Sequence, residues 1–225
     1  MSLSTNRFHE QVSWLAQNAR VVSVDKLLEC NDPAGLQVAL TFDDGYACTL
    51  RTVAPILQKE GMVATVYLNT ACVGDLQPIA SEETKGHYPG VDFLVWDEVL
   101  ALRDRGWIIG SHGADHVDLT RLPEAEVHMQ LRQSKAAIEE RLGIVCSHFA
   151  YTWGRHNRRV RTAVAECGYS WAVAGVHGPV SAKSDRYAIP RIDIRTDYEL
   201  DDFIAVVTGK WDYLGLKQRL ARMLS

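Results

Sequence analysis

Two acidic residues stand side by side in the segment LTFDDG, which covers residues 40–45. Asp43 and Asp44 follow the apolar run 38–40, as residues do where a buried strand ends. Side chains of neighbouring strand residues point to opposite faces, so both carboxylates cannot be solvated by facing the same way. One interpretation is that at least one of them serves chemistry. The other is an ordinary strand end, because Asp and Gly both accept turn geometry.

Two histidines four residues apart form a second candidate group. His112 and His116 lie in the segment SHGADH, residues 111–116, directly after another apolar run. On a helical or tightly turned segment this spacing brings both imidazoles to one side, as a divalent metal ion requires. The chain contains eight histidines, so such a pair can also arise by chance on a surface. The pair gains weight in combination with other ligands.

Short apolar runs rich in β-branched and aromatic residues alternate with longer amphipathic segments along the chain. This alternation is typical of strands joined by helical crossovers and predicts a parallel sheet, open or closed into a barrel. The predicted strands are residues 38–42, 63–68, 107–110, 147–153, 170–174 and 187–192. The predicted helices are residues 49–60, 96–105, 123–142, 158–167, 198–207 and 214–224. Four of these helices are followed by a glycine, which tolerates the positive φ of a helix end: Gly61, Gly106, Gly143 and Gly168.

The predicted parallel sheet would bring the acid pair and the histidine pair together. Each pair follows a predicted strand, and the carboxyl ends of parallel strands meet at one edge, where such folds place their chemistry. One carboxylate and two histidines leave a metal ion with open positions for water and substrate, which is the arrangement of a catalytic site. The second carboxylate is then free to act as a base. The spacing alone does not decide which acid does which.

Composition and length set limits on other functions. The chain has 225 residues, 47% of them hydrophobic, a net charge of -4 and no concentrated run of lysine or arginine. It is therefore predicted to form one domain, residues 1–225, without the electrostatic features of a protein that binds nucleic acid or an anionic membrane. The five cysteines lack CxxC spacing, and their odd number argues against a complete disulfide framework.

The sequence predicts neither a membrane span nor an export segment. No window reaches the roughly twenty apolar residues of a span, and the N-terminus lacks the basic and apolar regions of a signal peptide. As written, the chain is expected in the cytoplasm. Alternatively, Met1, Ser2 and Leu3 come from an expression vector and a native leader has been removed. Residues 70–91 form an irregular stretch, interpreted either as a wall or lid of a substrate site or as a disordered insertion.

The segments TFDDG and SHGADH resemble the first two motifs of the polysaccharide deacetylase family of carbohydrate esterases. The resemblance covers residues 38–192 and implies an α/β fold: a distorted (β/α) barrel, complete or incomplete, with a mostly parallel sheet. It also implies one divalent metal ion, with zinc expected. Carried over to this sequence, the family's roles make Asp44, His112 and His116 the metal ligands. They make Asp43 the residue that takes a proton.

The third family motif is partly kept in FAYTWG, residues 149–154. This segment is similar to a branch of the family that carries FAYPYG, with Thr152 and Trp153 as departures. The resemblance implies that the backbone N–H of Trp153 helps to hold the oxyanion, a role that survives side-chain changes. Many members carry an arginine where this chain has Ala150. Arg191, at another predicted strand end, resembles the arginine that the same branch uses instead to orient the catalytic aspartate.

The general acid of the family is not assigned by the sequence. Many members supply it from a late Leu-x-x-His motif, and this chain has no histidine beyond His177. His177 is a conceivable substitute, although it also fits an ordinary loop histidine. His148 and His156, which flank the third motif, are weaker candidates.

The resemblance implies hydrolysis of the N-acetyl group of an amino sugar in a bacterial-type polysaccharide or its precursor. Two alternatives stay open: a catalytically impaired carbohydrate-binding protein on the same scaffold, and a deacylase of a small non-sugar amide. Trp153, Tyr151 and Trp96 either stack against sugar rings or pack in the core. The expected partner is an N-acetylated glycan or glycan precursor, and the oligomeric state is not indicated.

Overall fold

A computed structural model of the chain describes residues 4–29, 35–74, 90–181 and 183–215. The described residues form short strands, and neighbouring strands pair in parallel. Their bounds are β1 Arg20–Val21, β2 Gln37–Val38, β3 Thr41–Phe42, β4 Thr65–Leu68, β5 Ile108–Ser111, β6 His148–Ala150 and β7 Trp171–Val173. Strands β3 to β7 form one sheet in chain order, with every neighbouring pair parallel, and the sheet curls into a half-barrel. The predicted mostly parallel sheet is therefore confirmed.

Helices connect the strands and cover the outer face of the half-barrel. Their bounds are α1 Thr5–Asn18, α2 Val24–Glu29, α3 Ala54–Lys59, α4 Trp96–Asp104, α5 Glu124–Leu142, α6 Arg158–Glu166 and α7 Leu200–Val207. A π-helical turn, Thr49–Val53, precedes α3. The predicted helix ends are confirmed, because each of the four glycines has a positive φ, as in Gly143 after α5 at 63°.

The strands alternate between two buried faces, because successive side chains point to opposite sides. Val66, Leu68 and Phe149 lie on the outer face, in the large apolar core shared with the helices. Tyr67 and its neighbours form a smaller cluster on the inner face: Tyr67, Ala150, Val173 and Ile189. A sheet buried on both faces produces continuous apolar runs in the sequence, which is why the strands could be predicted.

The N-terminal region and the first predicted strand differ from expectation. Helix α1, strand β1 and helix α2 were not predicted, and the predicted strand 38–42 is divided between two sheets. Strand β2 pairs with β1 in a separate two-stranded parallel sheet, whereas β3 pairs with β4 in the half-barrel. The chain therefore crosses from one sheet to the other within a single apolar run, a change that hydrophobicity cannot reveal.

The predicted strand 187–192 is reduced to one parallel bridge between Val173 and Ile189. Two hydrogen bonds hold it, from Ala174 N to the Ile189 carbonyl (2.8 Å) and from Ile189 N to the Ala172 carbonyl (2.9 Å). This short pairing continues the curl of the sheet beyond β7. A further backbone hydrogen bond, from Arg191 N to the Val176 carbonyl (3.0 Å), holds Arg191 at the carboxyl-end edge two residues later.

Two predictions lie wholly or largely outside the described residues. These are the helix 214–224, of which residues 214 and 215 are described, and the irregular stretch 70–91, of which residues 75–89 are not. Among the described helices, none is long and apolar enough to cross a membrane. No disulfide joins any of the four described cysteines, which are Cys48, Cys72, Cys146 and Cys167.

Candidate metal centre and active site

The acid pair lies in a tight left-handed turn directly after β3. Asp44 has φ of 71°, which is uncommon for a residue other than glycine, and Gly45 follows with φ of 75°. A Cβ atom on Gly45 would lie 2.8 Å from Cδ2 of Leu68, so the chain passes close to β4 at this point. The turn sends the two neighbouring carboxylates to different partners. Asp43 reaches Arg191, and Asp44 reaches the histidine pair.

The histidine pair lies on the turned loop that follows β5. Nε2 of His112 is 3.5 Å from Oδ1 of Asp44, and Nε2 of His116 is 3.4 Å from the same oxygen. The three candidate ligand atoms lie within 4.8 Å of one another. Both imidazoles are buried. The structure therefore brings together the three residues that were predicted as metal ligands.

The orientation of His112 is fixed by a backbone group. Its Nδ1 donates to the carbonyl of Ala150 at 2.8 Å, since a carbonyl oxygen can only accept. Nδ1 therefore carries the proton, which leaves the lone pair of Nε2 directed at Asp44. This is the arrangement by which proteins set the tautomer of a metal-binding histidine.

Gln130 of α5 holds the loop between the two histidines. Its Oε1 accepts from the backbone N of Asp115 at 2.8 Å, and its Nε2 donates to the Asp115 carboxylate at 2.8 Å. Gln130 is buried, so these two bonds are made largely out of water. Sequence reasoning missed this residue, because a single Gln on an amphipathic helix carries no recognisable pattern.

Asp43 forms a two-pronged ion pair with Arg191. The two guanidinium nitrogens lie 2.7 and 2.8 Å from the two carboxylate oxygens. The guanidinium also donates to the Ala174 carbonyl (3.3 Å) and to Oγ1 of Thr41 (3.4 Å). The structure thus brings the predicted arginine to the predicted base, from 148 positions away in the sequence.

The charge of Arg191 decides the ionisation of Asp43. Burial by itself raises the pKa of this carboxyl, but the positive charge of Arg191 and its hydrogen bonds outweigh it and lower the pKa to about 2. Burial lowers the pKa of Arg191, but the Asp43 charge reverses this, so the guanidinium pKa ends above its ordinary value. Asp43 is therefore a carboxylate at neutral pH.

Trp153 lies in a short 3-10 turn, Thr152–Gly154, beside the histidines. Its backbone is left-handed (φ 51°), and its ring packs edge-on against His116 with centroids 4.7 Å apart. Gly154 allows this turn, because a Cβ there would lie 2.3 Å from the backbone of Gly175. Trp153 is 48% exposed. It thus lies beside the candidate metal centre, where its backbone N–H was predicted to hold the oxyanion.

These residues open into a cleft of about 1100 Å³. Asp43, Asp44 and Arg191 are among the residues that line it, whereas the two buried histidines reach it through their contacts with Asp44. Among the other polar and aromatic residues that line it are Tyr46, Trp153, His177, Tyr198, Trp211 and Tyr213. Such a mixture of aromatic and hydrogen-bonding side chains suits a carbohydrate.

The other two aromatic candidates, Tyr151 and Trp96, pack in the core. Tyr151 is fully buried and donates from its hydroxyl to the Tyr187 carbonyl at 2.8 Å, so it packs in the core. Trp96 packs against the core at the start of α4, and neither of the two is among the residues found to line the cleft. Of the three stacking candidates, Trp153 is the one that lines the cleft, where a sugar ring could contact it.

The three candidate proton donors lie in different environments. His177 lines the cleft, with Nε2 3.5 Å from Oδ1 of Asp212. His148, at the amino end of β6, pairs instead with Asp25 at 3.0 Å. His156 packs against the ring of Tyr151. Geometry therefore favours His177 over the other two.

Comparison with known proteins places these features in a family. The family model described as polysaccharide deacetylase matches residues 31–172, which is more than half of the chain. The chain is 24% identical over 192 residues to YxkH of Bacillus subtilis (strain 168), which is named as a polysaccharide deacetylase. That match covers 83% of this chain and 63% of YxkH, so the chain spans less than two thirds of that relative.

A second relative is the poly-beta-1,6-N-acetyl-D-glucosamine N-deacetylase of Staphylococcus aureus (strain MRSA252). It is 22% identical over 224 residues, and the match covers 94% of this chain and 72% of the relative.

Two solved structures share the fold. The deacetylase PplD of Streptococcus pyogenes, solved with acetate, superimposes with a TM-score of 0.78 at 20% identity, over 91% of this chain and 87% of PplD. IcaB of Ammonifex degensii gives 0.76 at 19% identity, over 94% and 90%. The half-barrel of this chain therefore has the distorted (β/α) barrel fold of these deacetylases, as predicted. With the family model matched across β3 to β7, the chain belongs to the polysaccharide deacetylase family.

Proposed function

We propose that the chain is a divalent-metal-dependent hydrolase that removes the N-acetyl group from an amino sugar in a polysaccharide. The observation that carries this proposal is the convergence of Asp44, His112 and His116 next to the Asp43–Arg191 ion pair. A triad of ligands beside an ionised carboxylate, next to an open cleft, is what metal-assisted hydrolysis requires.

The donor set suits the proposed ion. One carboxylate oxygen and two imidazole nitrogens match the ligands that Zn²⁺ takes in catalytic sites, and three protein ligands leave room for water and substrate. The tautomer of His112 is already set for binding by its bond to Ala150. When bound, the ion would act as a Lewis acid that polarises the acetamide carbonyl and lowers the pKa of water.

The remaining roles fall to the chain's own groups. Asp43, held as a carboxylate by Arg191, takes a proton from the attacking water. Arg191 fixes the orientation of that carboxylate through two parallel hydrogen bonds. The backbone N–H of Trp153 donates to the oxyanion that develops at the acetyl carbonyl oxygen. His177 is our candidate to protonate the leaving amine, since it lines the cleft.

Two features support a polymer of N-acetylated sugars as the substrate. The cleft is far larger than an acetamide group, and exposed rings such as Trp153 and Tyr213 line it. The relative from S. aureus is named for action on poly-beta-1,6-N-acetyl-D-glucosamine. We therefore propose an N-acetylglucosamine polymer or oligomer as the substrate to test first.

A carbohydrate-binding protein without turnover is the alternative from another class. Its main support in the sequence was Ala150, which replaces the family's arginine. Arg191 now occupies the position of a partner for Asp43, which removes much of that support. A deacylase of a small amide stays as the other alternative.

Acetate release measured together with metal content tests the proposal. Purified protein is assayed with N-acetylglucosamine oligomers and with small acetamides, before and after a chelator and after zinc is restored. We expect oligomer-dependent acetate release that the chelator abolishes and zinc restores. Oligomer binding without release would favour the binding protein, release from small amides alone would favour the other deacylase, and release unaffected by metal removal would contradict the metal assignment.

A further inference from the structure

Tyr67 lies inside the half-barrel against Arg191. It is on the inner face of β4, with 0% of its surface exposed, and Cζ of Arg191 is 5.9 Å from the centroid of its ring. This is within the roughly 6 Å at which a guanidinium interacts favourably with an aromatic face. The hydrogen bonds of Arg191 to Asp43, Thr41 and Ala174 use its polar edge, and the ring of Tyr67 supplies an apolar contact.

Gly110 makes the space for this ring. Tyr67 and Gly110 are paired in register on β4 and β5. A Cβ atom on Gly110 would lie 2.5 and 2.6 Å from Cδ1 and Cε1 of Tyr67, closer than real Cβ atoms approach. Gly110 is not among the residues of positive φ, so its backbone does not require glycine. What excludes a side chain at Gly110 is the ring of Tyr67, together with the His148 carbonyl at 3.1 Å.

The hydroxyl of Tyr67 does not explain the presence of the ring. It is buried and makes no hydrogen bond to any group in the described part of the chain. A buried hydroxyl without a partner costs free energy. Burial also raises the pKa of Tyr67, so the group stays neutral. The part of Tyr67 that contributes to the site is therefore its ring.

We propose that Tyr67 is a positioning residue, whose ring keeps the Arg191 guanidinium aligned with both oxygens of Asp43, and that Gly110 sets the position of that ring. Arginine has a long, flexible side chain, and the two-pronged geometry fails if its plane rotates. A base displaced by about 1 Å can lose on the order of a hundredfold in rate. The expected effect of Tyr67 on turnover rests on the proposed function.

Replacing Tyr67 by leucine or by phenylalanine separates the ring from the hydroxyl. We expect Tyr67→Leu to lower kcat by about tenfold to a hundredfold, with KM and metal content little changed. Tyr67→Phe should retain most of the parent's kcat, because the ring stays. Val66→Ala, the neighbouring fully buried residue on the outer face of β4, is the matched control for lost packing. It should lower the melting temperature without lowering kcat.

Gly110→Ala tests the same contact from the other side. In the parent we expect it to lower kcat, because the new methyl group displaces the ring. In a Tyr67→Leu background it should add a much smaller loss, because the two ring atoms that it would meet at 2.5 and 2.6 Å are gone and only the 3.1 Å approach to the His148 carbonyl remains. Equal and independent losses in both backgrounds would overturn the proposal, as would a loss in Tyr67→Phe as large as that in Tyr67→Leu.

An NMR measurement tests the proposal without turnover. The Nε–H signal of Arg191, identified by its loss in Arg191→Met, should be sharp and slowly exchanging in the parent and in Tyr67→Phe. It should broaden or exchange faster in Tyr67→Leu and Gly110→Ala, and remain as in the parent in Val66→Ala. An unchanged signal in Tyr67→Leu would overturn the proposal even if the protein releases no acetate. If the signal changes as expected while no variant or parent shows activity, the proposed function fails and the positioning role stands.

Discussion

The two ends of the half-barrel both place histidine next to aspartate, yet they build different sites. At the carboxyl end, His112 and His116 approach one oxygen of Asp44 at 3.5 and 3.4 Å. At the amino end, His148 makes a single contact of 3.0 Å to Asp25 of α2. The first distances exceed an ordinary hydrogen bond, whereas the second has the length of one.

The difference lies in convergence and access. At the carboxyl end three candidate ligand atoms lie within 4.8 Å of one another, and Asp44, which supplies one of them, lines an open cleft. At the amino end α2 is held against the barrel, where the hydrogen bond from His148 lowers the pKa of Asp25 and Leu28 packs on the inner cluster. The same residue types therefore give a candidate metal centre at one end and a structural contact at the other. Residue type alone does not identify a site.

The largest effect is expected when a candidate metal ligand at the carboxyl end is removed. Asp44→Ala and His116→Ala should each lose bound metal and, with it, nearly all turnover, because two remaining ligands rarely hold a divalent ion. His148→Ala is the matched control from the amino end and should retain the parent's metal content. Metal analysis of the purified proteins measures this, and undiminished stoichiometric metal in both ligand variants would refute the assignment.

Asp43→Asn should separate the two neighbouring acids. It removes the proposed base and no ligand, so metal content should stay as in the parent while turnover falls by about 10² to 10⁴-fold. Acetate release and metal analysis on the same sample give the answer, with a melting curve to confirm folding. Turnover close to that of the parent would show that Asp43 is not the base.

Arg191→Met tests how the carboxyl end keeps its base ionised. The arginine charge lowers the pKa of Asp43, so its removal should move the acidic limb of the pH–rate profile to higher pH, by about one to three units. Metal content should be unchanged, so the comparison isolates the charge. An acidic limb that coincides with that of the parent would mean that Arg191 does not tune Asp43.

Gln130→Ala tests the support of the histidine loop. Loss of both bonds to Asp115 should weaken metal affinity by about 10 to 100-fold, as expected for residues that orient metal ligands. Gln133→Ala, an exposed position on the same helix, is the control. Competition with a chelator of known affinity measures the change, and equal affinities in the two variants would exclude a role for Gln130.

The smallest expected effect concerns the amino end. Asp25 has a lowered pKa in the folded state, so its contact adds stability above the unfolded pKa near 3.8, and that stability is lost as pH falls through the folded value. Asp25→Asn should cost about 1 kcal/mol at pH 7, since the carboxylate is partly exposed and screened. Denaturation at pH 7 and pH 3 should show a smaller difference between parent and variant in acid. An effect on metal content would contradict the separation of the two ends.

The sequence by itself determined the candidate ligands and the type of sheet that assembles them. The carboxyl ends of parallel strands meet at one edge whatever their exact order, so groups that follow β3 and β5 could be expected to converge. The adjacent acids and the histidines four apart were visible as a pattern. The family resemblance then divided the roles of Asp43 and Asp44, which spacing did not.

Other features were decided by the tertiary structure alone. The sequence suggested Arg191 by analogy, but its two-pronged contact with Asp43 depends on the backbone pairing that continues the curl past β7. Gln130 and the Tyr67–Gly110 contact had no sequence signal at all. Each depends on side chains that meet between packed elements at distances of a few ångströms. Periodicity reports which face of a strand or helix is buried, whereas the partner found on that face is set by how the elements pack.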